Sequence, residues 1–125
     1  MKKIEKEAVD PPPKFDPNDW VNWHILFCNY LYSLKGSTNV PLYYVVRQPL
    51  RPGITLANLD HNERLIHQAS TNGVAYNEDN RRVYTIMKQQ LVATQAWEWI
   101  KCFDSTHDGH GAMNALRLHY DGPGF

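Results

Sequence analysis

Between Trp20 and Leu34, bulky apolar side chains recur every three or four residues: Trp20, Trp23, Phe27, Tyr30, Leu31 and Leu34. A strand would scatter these positions over two faces, whereas an α-helix gathers them on one. The preceding Phe15-Asp16-Pro17-Asn18-Asp19 offers acidic and amide side chains to cap free N–H groups at a helix start. Gly36 is expected to end this helix in the left-handed conformation. A helix with so broad an apolar face must be covered, so the rest of the chain has to supply the partners.

It does so with further helical patterns. Asp60 can cap a short helix through Leu65, Ile66 and Ala69, with Asn72-Gly73 turning the chain. Asn77 or Asp79 can start another, with Val83, Met87 and Leu91 on one line. Thr94 can cap a segment carrying Ala96, Trp97, Trp99, Ile100 and Phe103, and Thr106 or Asp108 a last helix with Ala112, Met113, Leu116 and Tyr120, stopped by Gly122-Pro123. Trp97 and Trp99 lie about 200° apart on a helix, so one of them is expected to meet a second packing surface, in this chain or in another copy. Residues 48–59 read as a loop.

Val40 to Arg47 is the ambiguous stretch. Its β-branched and aromatic residues favour a strand, while Pro41 suits the start of a short helix. No convincing partner strand exists elsewhere. The expected fold is all-α: a single orthogonal bundle of about five to six short helices with a long connection in the middle. Its expected core holds Trp20, Trp23, Phe27, Leu31, Val83, Met87, Leu91, Ile100, Phe103, Leu116 and Tyr120. With 125 residues there is room for one ordinary domain. Residues 1–14, charged and ending in Pro11-Pro12-Pro13, read as a disordered arm, or alternatively as a Pro-rich peptide ligand. Residues 15–125 read as the helical domain.

Thirteen basic residues balance thirteen acidic ones. No net positive field draws the chain to nucleic acid or anionic lipid. A local patch from Arg47, Arg81, Arg82 and Lys88 is the candidate RNA contact, with Arg51, Arg64, Lys101 and Arg117 as further members if they share a face. Cys28 and Cys102 belong to no Cys-x-x-Cys pair and are expected to be core or near-core. The charged start has no apolar run behind it and no segment has the length of a membrane span, so a cytoplasmic, non-membrane protein is expected.

The most catalytic-looking stretch is Asp104-Ser105-Thr106-His107-Asp108-Gly109-His110. His-x-x-His in a turn lacks the helical i, i+4 spacing and the glutamate of zinc hydrolases, and Asp108 is better explained as a cap. His24, His61, His67 and His119 are scattered, with His24 expected to be solvated or to line a groove. No phosphate-cradling loop, nucleophile elbow or usable pair of acids is present. No enzyme activity, cofactor, metal or small-molecule substrate is expected.

Several blocks occur in series: Trp20-x-x-Trp23-x-x-x-Phe27-x-x-x-Leu31; Val40-Pro41-Leu42-x-Tyr44-Val45-Val46-Arg47; Tyr76-x-x-Asp79-x-x-Arg82-Val83-Tyr84; Ala96-Trp97-x-Trp99-Ile100; and Ala112-x-x-x-Leu116-x-x-His119-Tyr120-x-Gly122. From about Lys14 to Phe125 the chain thus resembles the capsid-type region of Gag proteins from copia-type long-terminal-repeat retrotransposons, especially those of algae such as diatoms. The resemblance implies an all-helical structural domain that self-associates into virus-like particles around the element's RNA. It also implies a helix for residues 41–47. Such proteins often carry a zinc knuckle, Cys-x-x-Cys-x-x-x-x-His-x-x-x-x-Cys, which is not in this sequence. The chain then reads as an amino-terminal fragment or truncated copy.

Overall fold

The aromatic periodicity does form a helix. In a computed structural model describing residues 12–122, α1 spans Trp20–Ser33, with the Asp19 carboxylate accepting from the Asn22 N–H. Four more α-helices follow: α2 (His61–Gln68), α3 (Val74–Leu91), α4 (Trp97–Ile100) and α5 (Gly109–Asp121). Short 3₁₀ turns occupy Leu42–Val46, Leu56–Asn58 and Lys101–Phe103. Among the described residues there is no strand, only an isolated bridge between Lys35 and Pro41. The fold is an all-helical bundle. Residues 1–11 of the expected arm, and Pro123 of the expected stop signal, lie outside the described residues.

The ambiguous segment is helical, but as a 3₁₀ turn with Pro41 immediately before it. It is also the hub of the bundle, touching α1, α2, α3 and α5. Leu42, Tyr44, Val45 and Val46 are all buried. A turn surrounded by helices has little solvent face, with only Tyr43 partly exposed, which explains an apolar run without helical or strand periodicity.

One polar group pins this hub. Asp79 lies on the apolar line of α3, four residues before Val83, and is 2% exposed. Its carboxylate accepts the Tyr44 hydroxyl at 2.6 Å, the Ser37 N–H at 2.9 Å and the Ser37 hydroxyl at 2.8 Å. Burial, then the bond to Asp79, raises the pKa of Tyr44 well above the usual phenol range, so the hydroxyl stays a donor. The cost of burying a carboxylate is thereby offset by several convergent donors.

Two expectations about ends need correcting. α1 stops at Ser33 with Leu34 extended, and Gly36 is not left-handed. Gly36 is small for a different reason: a Cβ there would meet Asp79 Oδ2 at 2.6 Å. Likewise α3 begins at Val74 after Gly73, whose φ is +94°, so Asn77 and Asp79 lie inside the helix rather than at its start. An acidic residue read as a cap is instead an interior ligand for a neighbouring loop. The expected caps Asp60 and Asp108 are observed, accepting from Glu63 N–H at 2.8 Å and Gly111 N–H at 3.0 Å.

The core matches the expected set at nine positions: Trp20, Trp23, Phe27, Leu31, Val83, Met87, Leu91, Ile100 and Leu116 are buried. Phe103 and Tyr120 are only partly buried and pack against the core from its rim. Phe103 falls in the 3₁₀ turn after α4, which displaces it from the inward line; Tyr120 lies in the last turn of α5. Tyr120 stacks on Trp20 at 5.0 Å between ring centroids, and Trp23 on Phe27 at 4.7 Å. The Trp20 indole N–H donates to Asp121 at 2.7 Å, tying the start of α1 to the end of α5.

Removing the hub's pin should destabilise the whole bundle. Tyr44→Phe is expected to cost about 1.5–3 kcal/mol, the range for hydrogen bonds to charged groups. Gly36→Ala should cost about 1–3 kcal/mol through overpacking against Asp79. Urea denaturation curves for the two variants measure both; midpoints equal to the wild type would contradict the pinning role.

Candidate functional site

The His- and Asp-rich stretch between α4 and α5 serves as an assembly joint. The Tyr84 hydroxyl donates to Asp104 at 2.9 Å, and Lys88 pairs with the same carboxylate at 3.0 Å. These two bonds, Lys88 first, hold the Asp104 carboxyl below its usual pKa. Asn80 of α3 donates to Asp108 and accepts the His110 N–H at 2.7 Å. Gly109 lets α5 start directly against α3, since a Cβ there would lie 2.7 Å from the Asn80 carbonyl oxygen. His110 Nδ1 sits 3.0 Å from the Val45 carbonyl, and Nε2 3.1 Å from the Asn114 amide nitrogen. A carbonyl only accepts, so Nδ1 carries the proton and Nε2 accepts. His107, with φ +53°, packs on the Tyr84 ring instead. The two histidines therefore have separate, structural surroundings. Among the described residues, no three His, Cys, Asp or Glu side chains gather in a metal-holding group.

The candidate RNA-contact residues are largely engaged within the chain. Arg47 donates to the Ile66 and Ala69 carbonyls, closing the C-terminal end of α2. Arg82 donates to the Lys35 carbonyl at 2.8 Å. Lys88, besides its ion pair, sits 5.7 Å from the centre of the Trp97 ring. Arg81 is exposed and its partner Arg82 on α3 is not free to follow it. Arg117 is a clear departure from the expected surface role: it is 2% exposed. The signal for this was its position four residues after Met113, on the inner line of α5.

Arg117 belongs to a small polar cluster. Its Nε donates to His24 Nε2 at 3.0 Å, and Cys28 Sγ lies 3.6 Å from the same nitrogen. The expectation for His24 is a solvated or groove-lining place; it packs tilted against Trp20, 4.9 Å between ring centroids, and is half-buried. Burial, reinforced by the Arg117 charge and opposed by Asp121, lowers its pKa to about 4. Burial also raises the Cys28 thiol, so this cysteine stays protonated. Cys102, expected near the core, is exposed, because the 3₁₀ turn carries it to the outer side.

Two surface features remain. The first is a groove of about 780 Å³ between α5 and the Arg47–Pro49 segment, reached by Arg117, Phe103, His110, Asn114 and Leu118. The second is the outer face of α1. Val21, Ile25 and Leu26 are 64%, 53% and 45% exposed, and none of the fourteen residues of α1 is Asp, Glu, Lys or Arg. Trp99 adds a further exposed ring, stacked on His119 at 3.8 Å. Trp97 instead packs against the core, so the two rings of α4 do face different surfaces. No helix among the described residues is long and apolar enough to cross a membrane. Comparison with protein-family models, curated proteins and solved structures finds no match to this chain.

The His24 environment makes stability pH-dependent. The folded chain holds His24 neutral down to about pH 4, whereas the unfolded chain protonates it from about 6.5 downward. The unfolded state then binds more protons in that window, and stability falls as the pH drops through it. His24→Gln, which can still accept from Arg117, should flatten this part of the profile. Urea midpoints at neutral pH and at the folded pKa test it; identical slopes in both proteins would exclude His24 as the source.

Proposed function

We propose that this chain is a self-associating structural domain, the capsid-type Gag region of a copia-type retrotransposon, and not an enzyme. The observation that carries the reading is the outer face of α1. Surface helices of monomeric proteins usually present charge to water; this one presents Val21, Ile25 and Leu26 with no charged residue along its length. Apolar residues grouped on one helix face form the kind of surface that subunits bury. A formal net charge of zero leaves no long-range repulsion between copies.

The motif series adds support because its members act together in the fold. Tyr44, Asp79, Arg82 and Tyr84 join separate elements by hydrogen bonds, and Tyr120 closes the aromatic stack on Trp20. A scaffold subunit has to keep its shape while neighbours pull on it, and such cross-links between elements meet that need. In the proposed setting the domain works in the cytoplasm, and element RNA is enclosed in the particle. Direct RNA contact by Arg47, Arg82 and Lys88 is disfavoured, since each is already committed within the chain.

Sedimentation over a range of protein concentrations tests the assignment. The wild-type chain is expected to show concentration-dependent oligomers, and particles by electron microscopy under crowding. The double variant Ile25→Asp, Leu26→Asp should weaken association by about tenfold or more while the circular dichroism spectrum stays unchanged, because both side chains are exposed. A wild-type chain that stays monomeric at high concentration under crowding, or a double variant that assembles equally well, rejects the proposal.

A further inference from the structure

Among the described residues, one guanidinium is buried without a counter-ion. Arg117 contacts His24, which is neutral, and beside it lie the protonated Cys28 thiol and the Tyr43 hydroxyl. Among the described residues no carboxylate pairs with it, and its Nη2 is buried with no acceptor. An arginine keeps its charge under all ordinary conditions. Leaving such a charge out of water and unpaired is costly, and folded proteins generally avoid it.

The same side chain forms part of the wall of the groove between α5 and the Arg47–Pro49 segment. At about 780 Å³ this groove has the size of a small-molecule site. Arg47 and Arg117 bring two positive charges to it, and among the described residues no acidic side chain lines it. Pro49, Phe103 and Leu118 provide apolar walls. His110 and Asn114 are already bonded to each other, so they add fixed dipoles.

We propose that this groove binds a small organic carboxylate with an apolar body, attracted by the Arg117 and Arg47 charges at its wall. An anion in the groove is attracted by both guanidinium charges, and the burial of Arg117 strengthens that attraction because solvent screens it little. The apolar walls select against a bare inorganic anion. The site lies on α5 and the Arg47–Pro49 segment, not on the outer face of α1, so it stands or falls independently of self-association.

Octanoate is a suitable probe, titrated into the full chain by calorimetry, with octanol and inorganic phosphate as controls. Saturable octanoate binding is expected, with both controls at least about tenfold weaker. Arg117→Met, which keeps the apolar stem and removes the charge, should abolish binding. Leu118→Asp provides a second test, since Leu118 is 54% exposed and its replacement leaves the core intact. A carboxylate there, at the wall of the groove, should repel the probe and weaken binding by about tenfold. Equal affinity for octanol, equal affinity for phosphate, absence of saturation, or wild-type affinity in a folded Arg117→Met or Leu118→Asp protein would each overturn the assignment.

Discussion

A carboxylate buried in the middle of α3 holds this bundle in register. Asp79 draws in the Tyr44 hydroxyl and the Ser37 N–H and hydroxyl, and so fixes the loop after α1 and the 3₁₀ turn at Leu42–Val46 against one helix. That turn in turn touches four of the five α-helices. Apolar burial supplies most of the cohesion, but it is non-directional. The hydrogen bonds to Asp79 specify which turn lies against α3, and Gly36 leaves the room for it.

The surface helices are secured by similar means. Arg47 closes the end of α2, Arg82 reaches back to the loop after α1, and Tyr84 with Lys88 fixes the joint before α5. Arg47, Arg82 and Lys88, three of the residues that could have formed a nucleic-acid patch, are thereby used as internal connectors. What is left outside includes an uncharged helix face bearing Val21, Ile25 and Leu26, and a groove walled in part by an arginine that has no counter-ion among the described residues. The two features differ in chemistry: one suits a flat contact with another chain, the other a small anion.

The path from sequence to structure is uneven in an instructive way. α1 and the core line Val83, Met87 and Leu91 were readable because apolar spacing reports directly on which side of a helix is buried. Asp60 and Asp108 were readable because capping is a local interaction. Gly36 and Asp79 were misread as terminators or starters, since each owes its identity to a residue more than thirty positions away. Arg117 is read as a surface residue from its type alone. Its position, four residues after Met113 on a helix face that turns inward, carries the opposite message.

From its sequence alone, then, the chain is committed to helices, to an aromatic core around Trp23 and Phe27, and to the local caps that start α2 and α5. These depend on periodicity and on groups within one helical turn of each other. Only tertiary structure decides that Leu42–Val46 is a buried 3₁₀ hub, that Asp79 is its anchor, and that Arg117 is enclosed. Each of these outcomes depends on partners brought together by folding, and the energy of a polar side chain is set by the neighbours and the dielectric that folding places around it.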